Sequence, residues 1–374
     1  MKSAVFEGPG KVEIRELPVP GLEGNQVLVK VKACGVCTWE KRFFAGDGVS
    51  PDQYPVRGGH EIAGVVAAVG PDAAPDLKPG QPAVVASLTR CGQCYYCRRG
   101  MDNLCVRSAE SAQKQEPWGP AGFSEYVLVR DYEVYRISEN LPFVEASLAE
   151  PLACVCRSVR ASGIQASDTA IIMGAGVMGL LHLKLLSAMG VNSIVVEPDH
   201  ARHSIAYANG ALKCIDPVEV PPGDVVSVLN ESPGGISGEP FLGFTAAFLT
   251  AGGPSAAHYA LASLAKGGAL VLYGAFHPEH VMNLDLNDIH YREIAIVGSY
   301  RHDRQSFRKA ADLLSAGTVK VRDLVSVTVP FPEVKRALEI ASEGLTDQTP
   351  EGENGSVNAR PAITRPYRVV VTFE

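Results

Sequence analysis

Two cysteine patterns carry the most chemistry in this chain. The stretch "RCGQCYYCRRGMDNLC" places Cys91, Cys94, Cys97 and Cys105 as C-x2-C-x2-C-x7-C. Four thiolates at such spacing close a tetrahedral shell around Zn²⁺ and leave no position for a substrate, so this reads as a structural zinc site. Its metal-binding energy, available only to the folded form, ties down a lobe of about residues 90–106 that has little core of its own. An iron–sulfur cluster is the chemical alternative for C-x2-C-x2-C. Zinc is favoured, because no Pro follows Cys105 and a dinucleotide motif stands downstream. The second pattern, "CGVCTWEKRF", holds Cys34 and Cys37 three apart with Trp39 just after them. Spacing alone does not say which of these two cysteines matters.

The third chemical signal is "GAGVMG", with Gly174, Gly176 and Gly179 in G-x-G-x-x-G spacing and Val177 and Met178 between the last two. It follows a strand-like run and opens a helix-like one, and Glu197 ends the next strand 18 residues after Gly179. That context is what a dinucleotide fingerprint requires. The first glycine makes the turn, the second lets backbone N–H groups approach a pyrophosphate, and the third lets helix and strand pack closely. Glu197 accepts from ribose hydroxyls and repels a 2′-phosphate, which favours NAD over NADP. Arg202, one turn into the following helix, is a candidate either to contact the same ribose or to soften that preference.

These residues need elements to position them. The first 150 residues are β-favouring, with "VLVKV" (27–31), "HEIAGVVAAVG" and "FSEYVLV" broken by Gly and Pro. From Thr169 the pattern alternates. "TAIIMGAG" is a strand, followed by a helix over about 177–189, the strand "SIVVEP", and a helix "DHARHSIAYANG" opened by Asp199 and closed by Gly210. "FTAAFLTAGG", a helix "PSAAHYALASLAKGG" and the strands "ALVLYG" and "EIAIVGSY" continue it. Such alternation predicts a parallel, doubly wound sheet. Helices "SFRKAADLLSAG" and "PEVKRALEIASEG" and a last strand "YRVVVTF" close the chain. Segments 230–243 and 344–366, rich in Gly, Pro and Asn, read as insertions.

The totals agree with two domains. The chain has 374 residues, 46% hydrophobic and 20% charged, which is globular composition. A net charge of −7 without a Lys/Arg block argues against nucleic acid as a partner. The longest apolar run, between Asp168 and His182, is too short for a membrane span, and the stretch "MKSAVFEGPG" lacks the apolar h-region of a signal peptide. Nine cysteines with four in a metal-like cluster suit a reducing compartment. The expectation is a cytoplasmic protein.

Over nearly its whole length the chain resembles the zinc-dependent medium-chain dehydrogenases, nearest to their sorbitol and threonine dehydrogenase branch. The resemblance is carried, in order, by the Cys37 loop, "GGHEIAGVV", the four-cysteine lobe, "EPLACV" and "GAGVMG". It implies an α/β fold: a GroES-like β-rich catalytic domain (1–155 and 300–374) around a Rossmann domain (156–299), with the active site in the cleft between them. It also implies that Cys37 is the catalytic zinc ligand and Cys34 a small buried residue. His60 of "GGHE" matches the second ligand. Glu150 of "AEPL" matches the third, where this branch carries Glu and many simple alcohol dehydrogenases carry Cys. Glu61 matches a carboxylate beside the metal, ligating directly or through water. One Cys, one His and one Glu plus water is an open, catalytic type of zinc site, which polarises a substrate hydroxyl for hydride transfer to a nicotinamide.

Trp39 breaks the family pattern. Relatives carry Ser or Thr two positions after the ligand cysteine and often His five after, as a proton path; here these are Trp39 and Arg42. An indole N–H only donates and a guanidinium does not deprotonate. Thr38, Glu61, Glu150 or a water must then take the substrate proton. Glu40 stands where relatives have Asp, which orients the zinc-bound His. Trp39, Phe43 and Phe44 form a candidate apolar wall, and Arg301 of "GSYRHD" matches an Arg near the polyol of sorbitol dehydrogenases.

The resulting expectation is an oxidoreductase passing hydride between a secondary alcohol of a polyol, cyclitol or sugar derivative and NAD. It would hold one catalytic and one structural zinc, take a small-molecule alcohol or ketone, and form a homodimer or homotetramer. Two alternatives stay open. One is an NAD(P)H-dependent reductase of a conjugated alkene or imine, and the other is a non-catalytic NAD- or zinc-binding protein.

Overall fold

The computed structural model describes residues 1–108, 116–231, 240–275, 281–343 and 366–374. Most of the expected insertion 230–243, and all of 344–366 except Pro366, lie outside the described residues. The chain divides into two compact units, one comprising Met1–Glu150, Ala311–Gly317 and Val321–Glu374, the other Pro151–Ala310 and Thr318–Lys320.

The first unit is built on β-sheets, as its alternating runs imply. Strands Val325–Pro330, Arg368–Thr372, Gln26–Gly35, Glu61–Val69, Pro82–Ala86 and Val134–Arg136 lie side by side in that order, and Tyr126–Arg130 also pairs with Gln26–Gly35. A smaller sheet joins Lys11–Glu16, Lys2–Gly8 and Val56–Arg57. Val27, Val29 and Val31 point inward with Phe6, Ile62, Val85, Phe123 and Val371, all essentially inaccessible. Burying side chains of this size stabilises by about 1.5–3 kcal/mol each, which fixes the register. That register aligns Gly35 with Glu61 on one side and with Val370 on the other. The ends of three neighbouring strands, carrying the Cys37 loop, Glu61 and Arg368, are thereby brought together.

The second unit holds six parallel strands in the order Ala211–Ile215, Asn192–Val196, Thr169–Met173, Phe244–Leu249, Leu264–Leu272 and Ala295–Gly298. Numbered along the chain this is 3-2-1-4-5-6, the doubly wound arrangement expected from the alternation. Strands buried on both faces explain their continuous apolar runs, such as Ala170-Ile171-Ile172-Met173.

Two boundaries differ from expectation. The helix expected over "PSAAHYALASLAKGG" ends at Ser263, and Leu264 already belongs to a strand, because pairing with Phe244–Leu249 outweighs the helical pattern of its first residues. The helix expected from Asp199 starts as a short 3-10 turn, His200–Arg202, before Val-free helix His203–Ala208; Asp199 caps the turn by accepting from the Ala201 N–H at 3.0 Å. Among the described residues no helix is long and apolar enough to cross a membrane.

Candidate active site

The helix Thr38–Ala45 begins directly after the strand Gln26–Gly35, with Cys37 as its N-cap residue in extended conformation. Glu40, in the first turn and wholly buried, returns one carboxylate oxygen, Oε2, to the Cys37 N–H at 3.0 Å. Its other oxygen, Oε1, accepts from the Gly59 N–H at 3.0 Å and lies 2.7 Å from Nδ1 of His60. A carboxylate only accepts, so Nδ1 carries a proton, which leaves Nε2 as the nitrogen that can offer a lone pair to a metal. One buried side chain therefore fixes the backbone at Cys37 and the ring of His60 together. Burial opposes a charge on that ring, but Glu40 and then Cys37 outweigh it and hold the His60 pKa well above its ordinary value.

Glu61 completes the group. Ligand atoms of Cys37, His60 and Glu61 all lie within 4.8 Å of one another. Glu61 is fully buried against Gly35, where an added Cβ would stand 2.0 Å from its Oε2, so only glycine leaves room for the carboxylate. Both its oxygens are buried without a hydrogen bond from the described residues. Arg368 stands 3.1 Å from Oε1 through Nη2, while its Nη1 donates to the Val36 carbonyl at 2.8 Å. Burial raises the Glu61 pKa to about 7; Arg368 and His60 pull it down, and Glu150 and Glu40 push it up. A thiol, an imidazole lone pair and unsatisfied carboxylate oxygens converging at this range are the donor set of a zinc site, so the residues fit the ion. Glu150, in the first turn of helix Ala149–Ser162, lies outside this tight trio, though its charge acts on both Glu61 and Arg368. Cys34 is buried, and burial, then the nearby carboxylates, raise its thiol pKa strongly, as expected of an inert cysteine.

Cys91, Cys94, Cys97 and Cys105 also gather their sulfurs within 4.8 Å. Backbone N–H groups stabilise thiolates here: the Cys91 N–H reaches Cys105 Sγ and the Cys94 N–H reaches Cys91 Sγ, each at 3.3 Å. A hydrogen bond from the Cys97 backbone, the largest effect on Cys94, lowers its pKa to about 6, whereas burial and neighbouring sulfurs push Cys97 to about 12. Four sulfurs this close ionise together only around a cation, so the lobe fits zinc as well. A buried ion pair, Arg90–Asp102 at 2.9 Å, spans the loop between its first and last cysteines. A third cluster, His200, Asp216 and Glu219, lies on the surface, with His200 and Asp216 paired at 3.0 Å.

In the second unit, Gly174 turns with φ 101° and Gly176 caps helix Val177–Ala188. A Cβ on Gly179 would stand 1.9 Å from the Gly174 carbonyl, so helix and strand meet only because it is glycine. Gly176 is open on its outer side, with Arg202 Nη1 4.0 Å from where a Cβ would be, a cradle and a cation fit for a pyrophosphate. Val177 and Met178 form the first turn of the helix. Glu197, at the end of strand Asn192–Val196 and 8% exposed, accepts from the Ala175 N–H at 2.7 Å and the Asp199 N–H at 3.0 Å. It thus holds the glycine turn.

Two family models match this chain: the alcohol dehydrogenase GroES-like domain over residues 23–139 and the zinc-binding dehydrogenase domain over 177–316. The chain belongs to the zinc-dependent medium-chain dehydrogenase family. Within this family it is similar to the sorbitol dehydrogenase of Bacillus subtilis strain 168, 29% identical over 349 residues, covering 91% of this chain and 93% of that one. Two solved structures have a similar fold. One, a zinc-binding dehydrogenase from Sinorhizobium meliloti 1021 bound to NADP, is 26% identical with a TM-score of 0.78 over 99% of this chain and 98% of that one. The other, described as a short chain alcohol dehydrogenase from E. coli CFT073 complexed with NADH, is 25% identical with a TM-score of 0.82 over 100% of this chain and 99% of that one.

For a medium-chain dehydrogenase, the surroundings of the metal trio are unusual. Thr38 is exposed and Trp39 half-buried, its ring 6.1 Å from and edge-on to that of His60. Arg42 is folded back, donating through Nε to the Asp47 carbonyl at 3.2 Å. Phe44 is partly buried against the core. Arg301 lies in the second unit, exposed, with its guanidinium 4.7 Å over the Tyr300 ring. Arg368 escaped the sequence reading. The available signal was a cation at a buried position in the apolar run "YRVVVTF", which demands a buried partner.

Proposed function

We propose that this chain is a zinc-dependent, NAD-linked dehydrogenase acting on a secondary alcohol of a polyol, cyclitol or sugar derivative. The observation that carries the reading is the Cys37–His60–Glu61 trio, whose buried carboxylate oxygens lack hydrogen-bond donors and whose thiol and imidazole are fixed by one carboxylate, Glu40. The likeness to a sorbitol dehydrogenase supports the polyol class. When bound, zinc supplies Lewis acidity toward a substrate hydroxyl and NAD the hydride acceptor. Cys37, His60 and either Glu61 or Glu150 would hold the catalytic ion, and Cys91, Cys94, Cys97 and Cys105 the structural one.

The chain's own residues do the rest. Glu40 takes the Nδ1–H of His60, so that Nε2 is the ring nitrogen turned away from the carboxylate and left to face a metal. Arg368 offsets the charge that Glu61 carries in a buried position. Trp39 and the folded-back Arg42 have no acceptor to offer, so in this reading the substrate proton goes to a Glu61 oxygen, with Thr38 as the nearest hydroxyl on the helix. Gly174, Gly176, Val177, Met178 and Gly179 receive the pyrophosphate, and Glu197 the adenosine ribose, with Arg202 beside it. The carboxylate of Glu197 disfavours a 2′-phosphate, which supports NAD over NADP. The first unit serves as the GroES-like catalytic domain and the second as the Rossmann domain. Strand Ala295–Gly298, at the sheet edge with Ile296 exposed, is the surface on which a homodimer would form. The use of cysteine as a metal ligand supports a reducing, cytoplasmic setting.

NAD-linked oxidation of open-chain and cyclic polyols, followed by reduced-nicotinamide absorbance for the wild type and Cys37→Ser, tests the reading. Turnover by the wild type and its loss in the variant are expected. Alkene or imine reduction retained by Cys37→Ser, without polyol oxidation by the wild type, would replace it with the reductase reading.

A further inference from the structure

The aromatic residues beside His60 are not equivalent. Trp118 is committed to the fold, since its Nε1 donates to the Gln53 carbonyl at 3.0 Å. Phe43 is 6% exposed and sits at the centre of the group, edge-on to Tyr54 at 5.8 Å and to Trp118 at 6.1 Å. The Tyr54 hydroxyl donates to the Phe43 carbonyl and fixes it from behind. Trp39 lies on Phe43, centroids 4.1 Å apart and planes 35° from parallel. Phe43 packs against the indole, yet Trp39 is only half-buried, so part of its side chain stays accessible. Among the described residues its Nε1–H has no acceptor. Thus one tryptophan is backed by an aromatic group, stands edge-on to a residue of the metal trio, and keeps accessible surface and a donor unused.

We infer that Trp39 is a specificity-determining platform that selects a ring-closed polyol, such as a cyclitol or a pyranose, over an open-chain one. This rests on the dehydrogenase reading above and names its substrate class. A six-membered polyol ring presents several C–H bonds on one face, an apolar patch matched to an indole, and places its hydroxyls around the rim, where the Trp39 N–H donates to one of them. An open-chain polyol must freeze several torsions to present a comparable patch and loses that ordering entropy on binding. A small hydroxyl residue at this position would contribute no such surface. The unusual residue therefore sets substrate shape.

The experiment compares kcat and KM for NAD-linked oxidation of a hexahydroxycyclohexane, a methyl pyranoside and an open-chain hexitol. The proteins are the wild type, Trp39→Phe and Trp39→Ala, each checked for zinc content. The wild type is expected to favour a ring substrate in kcat/KM. Trp39→Ala should lower the ring-to-chain ratio roughly tenfold, mainly through KM, and Trp39→Phe should keep most of it. A wild type that oxidises the hexitol with no ring preference overturns the platform and leaves the dehydrogenase standing. So does a Trp39→Ala protein, zinc intact, in which all substrates lose in parallel. Absence of turnover on all three would remove the dehydrogenase reading and the platform with it.

Discussion

Nδ1 of His60 lies 2.7 Å from Oε1 of Glu40, a carboxylate with no exposed surface. The same carboxylate holds the backbone of Cys37 through its other oxygen. Replacing Glu40 by Gln keeps the shape but frees the imidazole to adopt the other tautomer. Zinc affinity and kcat/KM are expected to fall about 10–100-fold, and Glu40→Asp less, because a shorter carboxylate still accepts from Nδ1. Competition with a chelator for the metal and steady-state kinetics check this; unchanged affinity in Glu40→Gln would contradict it.

Arg368 and Glu61 form a buried pair 3.1 Å apart. Removing one partner of such a pair leaves an uncompensated buried charge and costs about 3–5 kcal/mol. Arg368→Met should therefore lower the Tm by roughly 10 °C, and a second change, Glu61→Leu, should recover much of that loss. Thermal melts followed by circular dichroism of both variants provide the check.

His182 is fully buried in helix Val177–Ala188, between the Met178 carbonyl (2.8 Å from Nδ1) and the Ser158 hydroxyl (2.9 Å from Nε2). Burial lowers its pKa to about 4. The folded state thus disfavours the proton that the unfolded chain accepts near pH 6.5, so stability is full above that pH. As the pH falls from about 6.5 to about 4, roughly 3 kcal/mol is expected to be lost. His182→Gln should flatten that part of the profile, as read by urea unfolding at pH 7, 6 and 5.

Glu197 repels a 2′-phosphate in the cofactor reading and also accepts from Ala175 and Asp199. Glu197→Gln retains one of the two backbone acceptors but not the charge. The preference for NAD over NADP in kcat/KM should drop at least about tenfold, a change of ~1.4 kcal/mol. Kinetics with both cofactors decide it, and an unaltered ratio would assign discrimination elsewhere.

What the sequence disclosed followed distance along the chain. Cys91 to Cys105 and Gly174 to Gly179 are local patterns whose spacing alone dictates which backbone turns and ligand shells are possible. The parallel, doubly wound sheet of the second unit followed from alternation for the same reason. Arg368 is separated from Glu61 by most of the chain and meets it only through pairing of Arg368–Thr372 with Gln26–Gly35, which no local pattern encodes. The helix boundary at Ser263 was hidden because Leu264 and Ala265 suit either state, and the neighbouring strand decides. Trp39 was visible as an exception; its stacking on Phe43 and its unused N–H needed coordinates.

The central claim is that this chain carries an open metal site at Cys37, His60 and a carboxylate, distinct from the four-cysteine lobe. Zinc per chain in protein purified without added metal, for the wild type and Cys37→Ala, tests it most directly. The account predicts two ions in the wild type and one in Cys37→Ala, with the secondary structure retained. One ion in both proteins would contradict it.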